Sequence, residues 1–100
     1  MTSFEETVRQ ALDELPPHLA GSLENVAVVV READPDEPDL FGLYEELPYL
    51  PAQVTIFRRP LVEAFPEPRE LARQIRITVL HELGHHFGLD EDRLDELGYT

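Results

Sequence analysis

Three of the four histidines fall within six residues, in the run His81-Glu82-Leu83-Gly84-His85-His86. On a helix, side chains four residues apart lie on the same side, one turn from each other. His81 and His85 therefore present two imidazole nitrogens to one point, at the separation a single tetrahedral cation needs. Glu82 is turned about 100° around the axis from His81, so it flanks such a cation without filling its open position. A carboxylate there can take a proton from cation-activated water and pass it to a leaving amine. The H-E-x-x-H spacing is thus a mechanism as well as a pattern.

The residues that follow extend the motif. Gly88 comes three after His85, where a residue free to take positive φ ends the helix and turns the chain back. Three further on lies Glu91, flanked by Asp90 and Asp92. In the longer H-E-x-x-H-x-x-G-x-x-H arrangement this last position returns as the third ligand. A carboxylate is also an accepted zinc ligand, so Glu91 is the candidate, with Asp90 and Asp92 as alternatives. Asp90 reads equally as the N-cap of a last helix, with Glu91 in a first turn where acids complement the macrodipole. Gly84 and Gly88 leave room for another backbone to approach the helix closely. A bare H-E-x-x-H arises by chance in on the order of one in several hundred chains of this length. Requiring Gly88 and an acid at 91 lowers that by roughly another hundredfold. Chance is a poor explanation.

The elements that must carry these residues are legible from periodicity. Ser3-x-x-Glu6 resembles a capping box ahead of Phe4, Val8, Leu12 and Leu15, which predicts a helix from Ser3 to Leu15 stopped by Pro16 and Pro17. Val26 to Val30 predicts a strand covered on both faces, or nearly so. Glu32 to Asp39, with five acids and two prolines, is expected to be a solvated loop. A short strand is expected at Leu43 to Glu45. Another is expected from Ala52 to Arg59, ended by Pro60, with Val54 and Ile56 on one face and Thr55 and Phe57 on the other. Leu71, Ile75, Val79, Leu83 and Phe87 recur at i+4 and predict one long helix over about 67–88. Ile77, His81 and His85 form a second stripe on it. A short helix from Glu91 to Leu97, capped by Gly98, closes the chain. This order is α+β.

Composition narrows the function classes. One hundred residues, taken as one domain over 1–100, hold 21 acids against 8 bases, a net charge of −13. Every base is Arg. A field of that sign disfavours phosphate backbones, so no nucleic-acid partner is expected. No cysteine is present, so neither disulfides nor thiolate ligands arise. No apolar run approaches a membrane span, and the N-terminus lacks a basic and apolar leader; the expectation is a cytoplasmic protein without a membrane partner. His18 and His86 read as surface or satisfied core residues. Arg58-Arg59 reads as an exposed strand end or an anchor for an acid.

The run ITVLHELGHHFGLDEDRLDELGY resembles the closing motif of the minimal zincins, small bacterial zincin-like metallopeptidases related in motif to the Asp-zincins. The resemblance extends from about Leu23 to Tyr99, through ENVAVVV, FGLYEELP and VTIFRRPL. It implies a zincin-like α+β fold in which a small mixed sheet packs on the long H-E-x-x-H helix, to which the periodicity adds an N-terminal helix and a short C-terminal helix. It also implies one Zn2+ held by His81, His85 and Glu91, with Glu82 as base. The Asp-zincin pattern has Asp where this chain has Glu91. Longer zincins also place a methionine beneath the metal, whereas the sole Met here is Met1.

The reading that follows is a zinc-dependent peptidase acting on peptide or protein substrates. Residues 52–57 are expected to form an exposed edge that pairs with an extended peptide. For oxyanion stabilisation the sequence offers His86, Tyr99 and Arg58-Arg59. The alternative is a metal-binding or interaction module without turnover. An RNA-processing hydrolase is the third reading, opposed by the charge.

Overall fold

Residues 3–15 and 25–98 are described by the computed structural model of the chain. The expected helix stop at Pro16 and Pro17, and the readings of His18 and Tyr99, lie outside the described residues. Ser3 caps the first helix, α1 (Phe4–Asp13), by accepting the Glu6 N–H on its hydroxyl at 3.1 Å. This satisfies one of the donors that a helix start leaves unpaired. Val8, Ala11 and, past the helix end, Leu15 turn inward.

Three strands follow among the described residues: β1 (Val26–Arg31), β2 (Gly42–Glu45) and β3 (Ala52–Phe57). The sheet order is β1-β3-β2, with β1 parallel and β2 antiparallel to β3. β3 is therefore central, and Val54, Thr55, Ile56 and Phe57 are buried on its two faces. This corrects the expectation that residues 52–57 form an edge; the edges are β1 and β2. It also corrects β1, whose residues are half-buried or exposed and not covered on both faces. A β-branched run fits either place, because what covers a strand is decided by its neighbours.

The third strand stops at Phe57 and not at Arg59. There the chain enters a helix that sequence periodicity did not predict, α2 (Arg58–Ala64). Pro60 sits in its first turn, where the missing N–H has no intrahelical acceptor to lose, and so starts a helix as readily as it ends a strand. Arg58 is accordingly no strand end. Its guanidinium donates to both carboxylate oxygens of Glu32 at 2.7 and 2.8 Å, which holds the Glu32 carboxyl below its ordinary range. The acidic stretch 32–39 is a loop, as expected, and turns on Asp34, whose Oδ1 accepts the N–H groups of Asp36 and Glu37.

The long helix, α3 (Pro68–His86), begins with Pro68 at its first position and Glu67 accepting the N–H groups of Arg69 and Glu70. Ile75, Val79 and Leu83 are fully buried, and Leu71 and Phe87 flank them partly buried. Together with Val8, Ala11, Val54, Ile56 and Leu61 they form one core between the sheet and helices α1 and α3. A last helix, α4 (Glu91–Glu96), is held by the fully buried Leu94. The architecture is α+β, a small mixed sheet packed on one long helix. Among the described residues no helix is long and apolar enough to cross a membrane.

The core stripe of α3 is thus what holds the His-bearing helix to the sheet. Ile75→Ala should lower the free energy of unfolding by about 2–5 kcal/mol, the range for a buried aliphatic truncation. Urea unfolding followed by circular dichroism measures it. A loss of only a few tenths would mean that α3 is not anchored through this stripe.

Candidate metal centre

His81 and His85 lie in the last turns of α3, each partly buried, with side chains 22% and 31% exposed. Their ring centroids are 5.0 Å apart and nearly perpendicular. The helix ends just beyond them. Gly88 takes φ +80°, its N–H reaches the His85 carbonyl at 3.1 Å, and the Leu89 N–H reaches the Gly84 carbonyl at 2.9 Å. This paired return satisfies two terminal carbonyls and reverses the chain. No neighbour lies within 4 Å of where a Gly88 side chain would start, so the requirement is conformational and not spatial.

After the reversal Asp90 starts α4 by accepting the Arg93 N–H at 2.9 Å. Its carboxylate is thereby engaged in capping. Glu91, the first helical residue, extends back over α3, and its Oε1 lies 3.4 Å from His81 Nε2 and 3.2 Å from His85 Nε2. One donor atom from each of the three residues falls within 4.8 Å of the others. Donors on a tetrahedral zinc at ordinary bond lengths stand about 3.3–3.5 Å apart, so the two imidazoles and this carboxylate suit a divalent cation. Of the three acids left open by the sequence, Glu91 is the one brought to the imidazoles.

Glu82 is near this group and outside it. Burial holds its carboxyl above the ordinary range, opposed by the nearby His81 and His85; Glu91 adds a further upward push, and a backbone hydrogen bond from Tyr44 a downward one. Room for it comes from Gly42 on β2. A β-carbon there would stand 2.9 Å from both Glu82 Cγ and Thr78 Cγ2. A cavity of about 450 Å3 opens beside His81, Glu82 and Glu91, walled by Leu40, Phe41 and Ile77.

Other candidates are placed elsewhere. His86 is half-buried and its Nδ1 lies 3.1 Å from the Tyr44 hydroxyl, which makes it the satisfied residue expected. Arg58 is committed to Glu32, Arg59 stands 3.9 Å from the same carboxylate, and neither borders the cavity. Two positions that matter were not singled out from sequence. Gly42, a glycine inside a strand, is itself a signal of close approach. Leu94 carried no signal. Its Cδ2 occupies the space a Gly84 side chain would take, so Gly84 receives a side chain and not the expected backbone.

A family model described as zincin-like metallopeptidase matches residues 23–99, about three quarters of the chain. A search of curated proteins finds no match.

Because Leu94 seats α4 against Gly84, Glu91 depends on a contact it does not make. Gly84→Ala should weaken binding of a divalent cation at the three-donor group by about tenfold or more, the scale on which residues supporting metal ligands act. Leu94→Ala in the same protein should restore part of it. Competition against a chromophoric chelator reads both. Wild-type affinity in Gly84→Ala would mean that α4 is not positioned through this contact.

Proposed function

The chain belongs to the zincin-like metallopeptidase family, and from that premise we propose a zinc-dependent peptidase in which His81, His85 and Glu91 hold the cation and Glu82 is the general base. The observation that carries the reading is the three-donor group at 4.8 Å with Glu82 beside it and not within it. When bound, the cation supplies Lewis acidity that polarises a scissile carbonyl and lowers the pKa of water to about 7. Glu82 accepts the proton on its carboxylate and returns it to the leaving amine. The Tyr44 N–H orients that carboxylate, and the absent side chain of Gly42 leaves it room.

The substrate strand belongs on β2. Phe57 N–H donates to the Phe41 carbonyl at 2.9 Å, and the register pairs Gly42 with Ile56 and Tyr44 with Val54. Alternation along an antiparallel pair then turns the main-chain groups of Phe41, Leu43 and Glu45 toward β3, and those of Gly42 and Tyr44 outward, the Tyr44 N–H to Glu82 and the remaining groups toward the peptide. An extended peptide adding to this edge passes over Glu82. The net charge of −13 supports a peptide or protein substrate over nucleic acid.

Zinc should raise the unfolding midpoint of wild type and co-purify near one per chain, and His81→Ala, His85→Ala and Glu91→Ala should abolish both effects. Glu82→Gln should keep zinc and lose peptide hydrolysis by about 10²–10⁴-fold, the usual worth of a general base. Metal analysis alongside peptide hydrolysis, with and without chelator, measures all of these. Zinc retained in Glu91→Ala but lost in Asp90→Ala or Asp92→Ala would move the third ligand. Full activity in Glu82→Gln would overturn the mechanism. A zinc-loaded wild type that cleaves nothing across a broad peptide library would leave a metal-binding module without turnover.

A further inference from the structure

The cavity beside the three-donor group runs along α3 from His81 back to Gln74, a rise of about 10 Å. Leu40, Phe41 and Ile77 give it an apolar wall, and beyond the three-donor end its polar side chains are Gln74, Thr78 and Asp39. One N–H of the Gln74 side-chain amide donates to Glu70 at 2.8 Å, and its carbonyl oxygen remains an acceptor. The Thr78 hydroxyl proton is given to the Gln74 main-chain carbonyl, also at 2.8 Å. At the mouth stands Asp39, exposed, whose carboxylate has no ion-pair partner among the described residues. No arginine borders the cavity among the described residues. Four of the arginines are paired elsewhere: Arg58 with Glu32, Arg73 with Glu70, Arg76 with Glu14 and Arg93 with Glu96.

A slot with an apolar stem region, spare acceptors and an unpaired carboxylate at its rim matches one class of side chain. Long cationic residues lay a hydrocarbon stem along apolar surface and keep the charged end in water. We propose that this cavity is a specificity pocket for an arginine or lysine next to the scissile bond, its stem along Leu40, Phe41 and Ile77 and its cation at Asp39. The placement of that residue beside the bond rests on the peptidase reading; the preference for a cation rests on the cavity itself. An acidic side chain is excluded twice, by Asp39 and by the surrounding excess of acid.

The test uses zinc-loaded protein and paired peptides that differ only in Arg, Lys, norleucine or Glu at each position flanking the bond. Both cleavage and, with Glu82→Gln, equilibrium binding by fluorescence anisotropy are read. At one flanking position Arg and Lys should exceed norleucine by about fivefold or more, the upper range for an exposed charge pair, with Glu the poorest. Asp39→Asn should bring Arg and norleucine level, and Asp39→Arg should invert the order of Arg and Glu. Asp39 is exposed and outside the core, so these variants should fold as wild type. Cleavage without such a preference, or a preference that survives Asp39→Asn, would overturn the pocket and leave the peptidase standing. Binding that prefers Arg through Asp39, without any cleavage, would support the pocket and overturn the peptidase. Neither cleavage nor preferential binding would overturn both.

Discussion

One helix face supplies two imidazoles to a point, and it cannot supply a third donor there. The next residue on the same side lies a further turn away, about 5.4 Å along the axis, and pointing past the site. A third donor must therefore come from chain that has turned back within a few residues. The end of α3 meets this constraint with interlocking contacts. The Gly84 carbonyl receives the Leu89 N–H that closes the turn, and the missing Gly84 side chain receives Leu94 from the returning helix. Gly88 carries the reversal at φ +80°, which would cost another residue roughly 1–2 kcal/mol. Glu91 is then delivered by the register of its helix, one residue after the capping Asp90.

The opposite wall of the site is set by the sheet. Because β3 takes the middle, β2 becomes an edge among the described residues, and it is this edge that lies over α3 at Glu82. Gly42 brings the two close enough for the Tyr44 N–H to reach the Glu82 carboxylate. The same closeness buries Glu82 and separates it from the ligand-type residues on the helix. Two acids nine residues apart, Glu82 and Glu91, thus sit in different surroundings. One is half-buried beneath a strand; the other has a side chain 65% exposed on a helix start.

What could be read from sequence was what depends on local geometry. The i+4 stripe of α3, the i+4 pair His81 and His85, the Ser3 and Asp90 caps and the Gly88 turn all follow from residue type and spacing. What could not be read depends on neighbours distant in the chain. Val26–Val30 and Ala52–Phe57 are similar runs, and only pairing order makes the second central and the first an edge. Pro60 fits a strand end and a helix start alike, so α2 was invisible. Asp90, Glu91 and Asp92 are indistinguishable as ligand types. Capping occupies the first, and the register brings the second to the imidazoles.

The earlier alternative for Glu91, an acid placed merely to complement a helix start, is not a rival to its place among the donors. At the first position of α4 its charge favours the helix N-terminus, and the same position aims it back at α3. Alone, however, that short helix has little to hold it: six residues, one buried leucine and an exposed cap. A domain of about this size is marginal without a staple, and this chain has no cysteine to provide one. Folding also brings Glu91 and Glu82 together in an already acidic molecule, which opposes the closed arrangement. A cation held between His81, His85 and Glu91 would offset that repulsion and clamp α4 to α3 at once, since whatever binds only the folded arrangement stabilises it. The donors that suit hydrolytic chemistry are thus placed where a cation would also complete the fold.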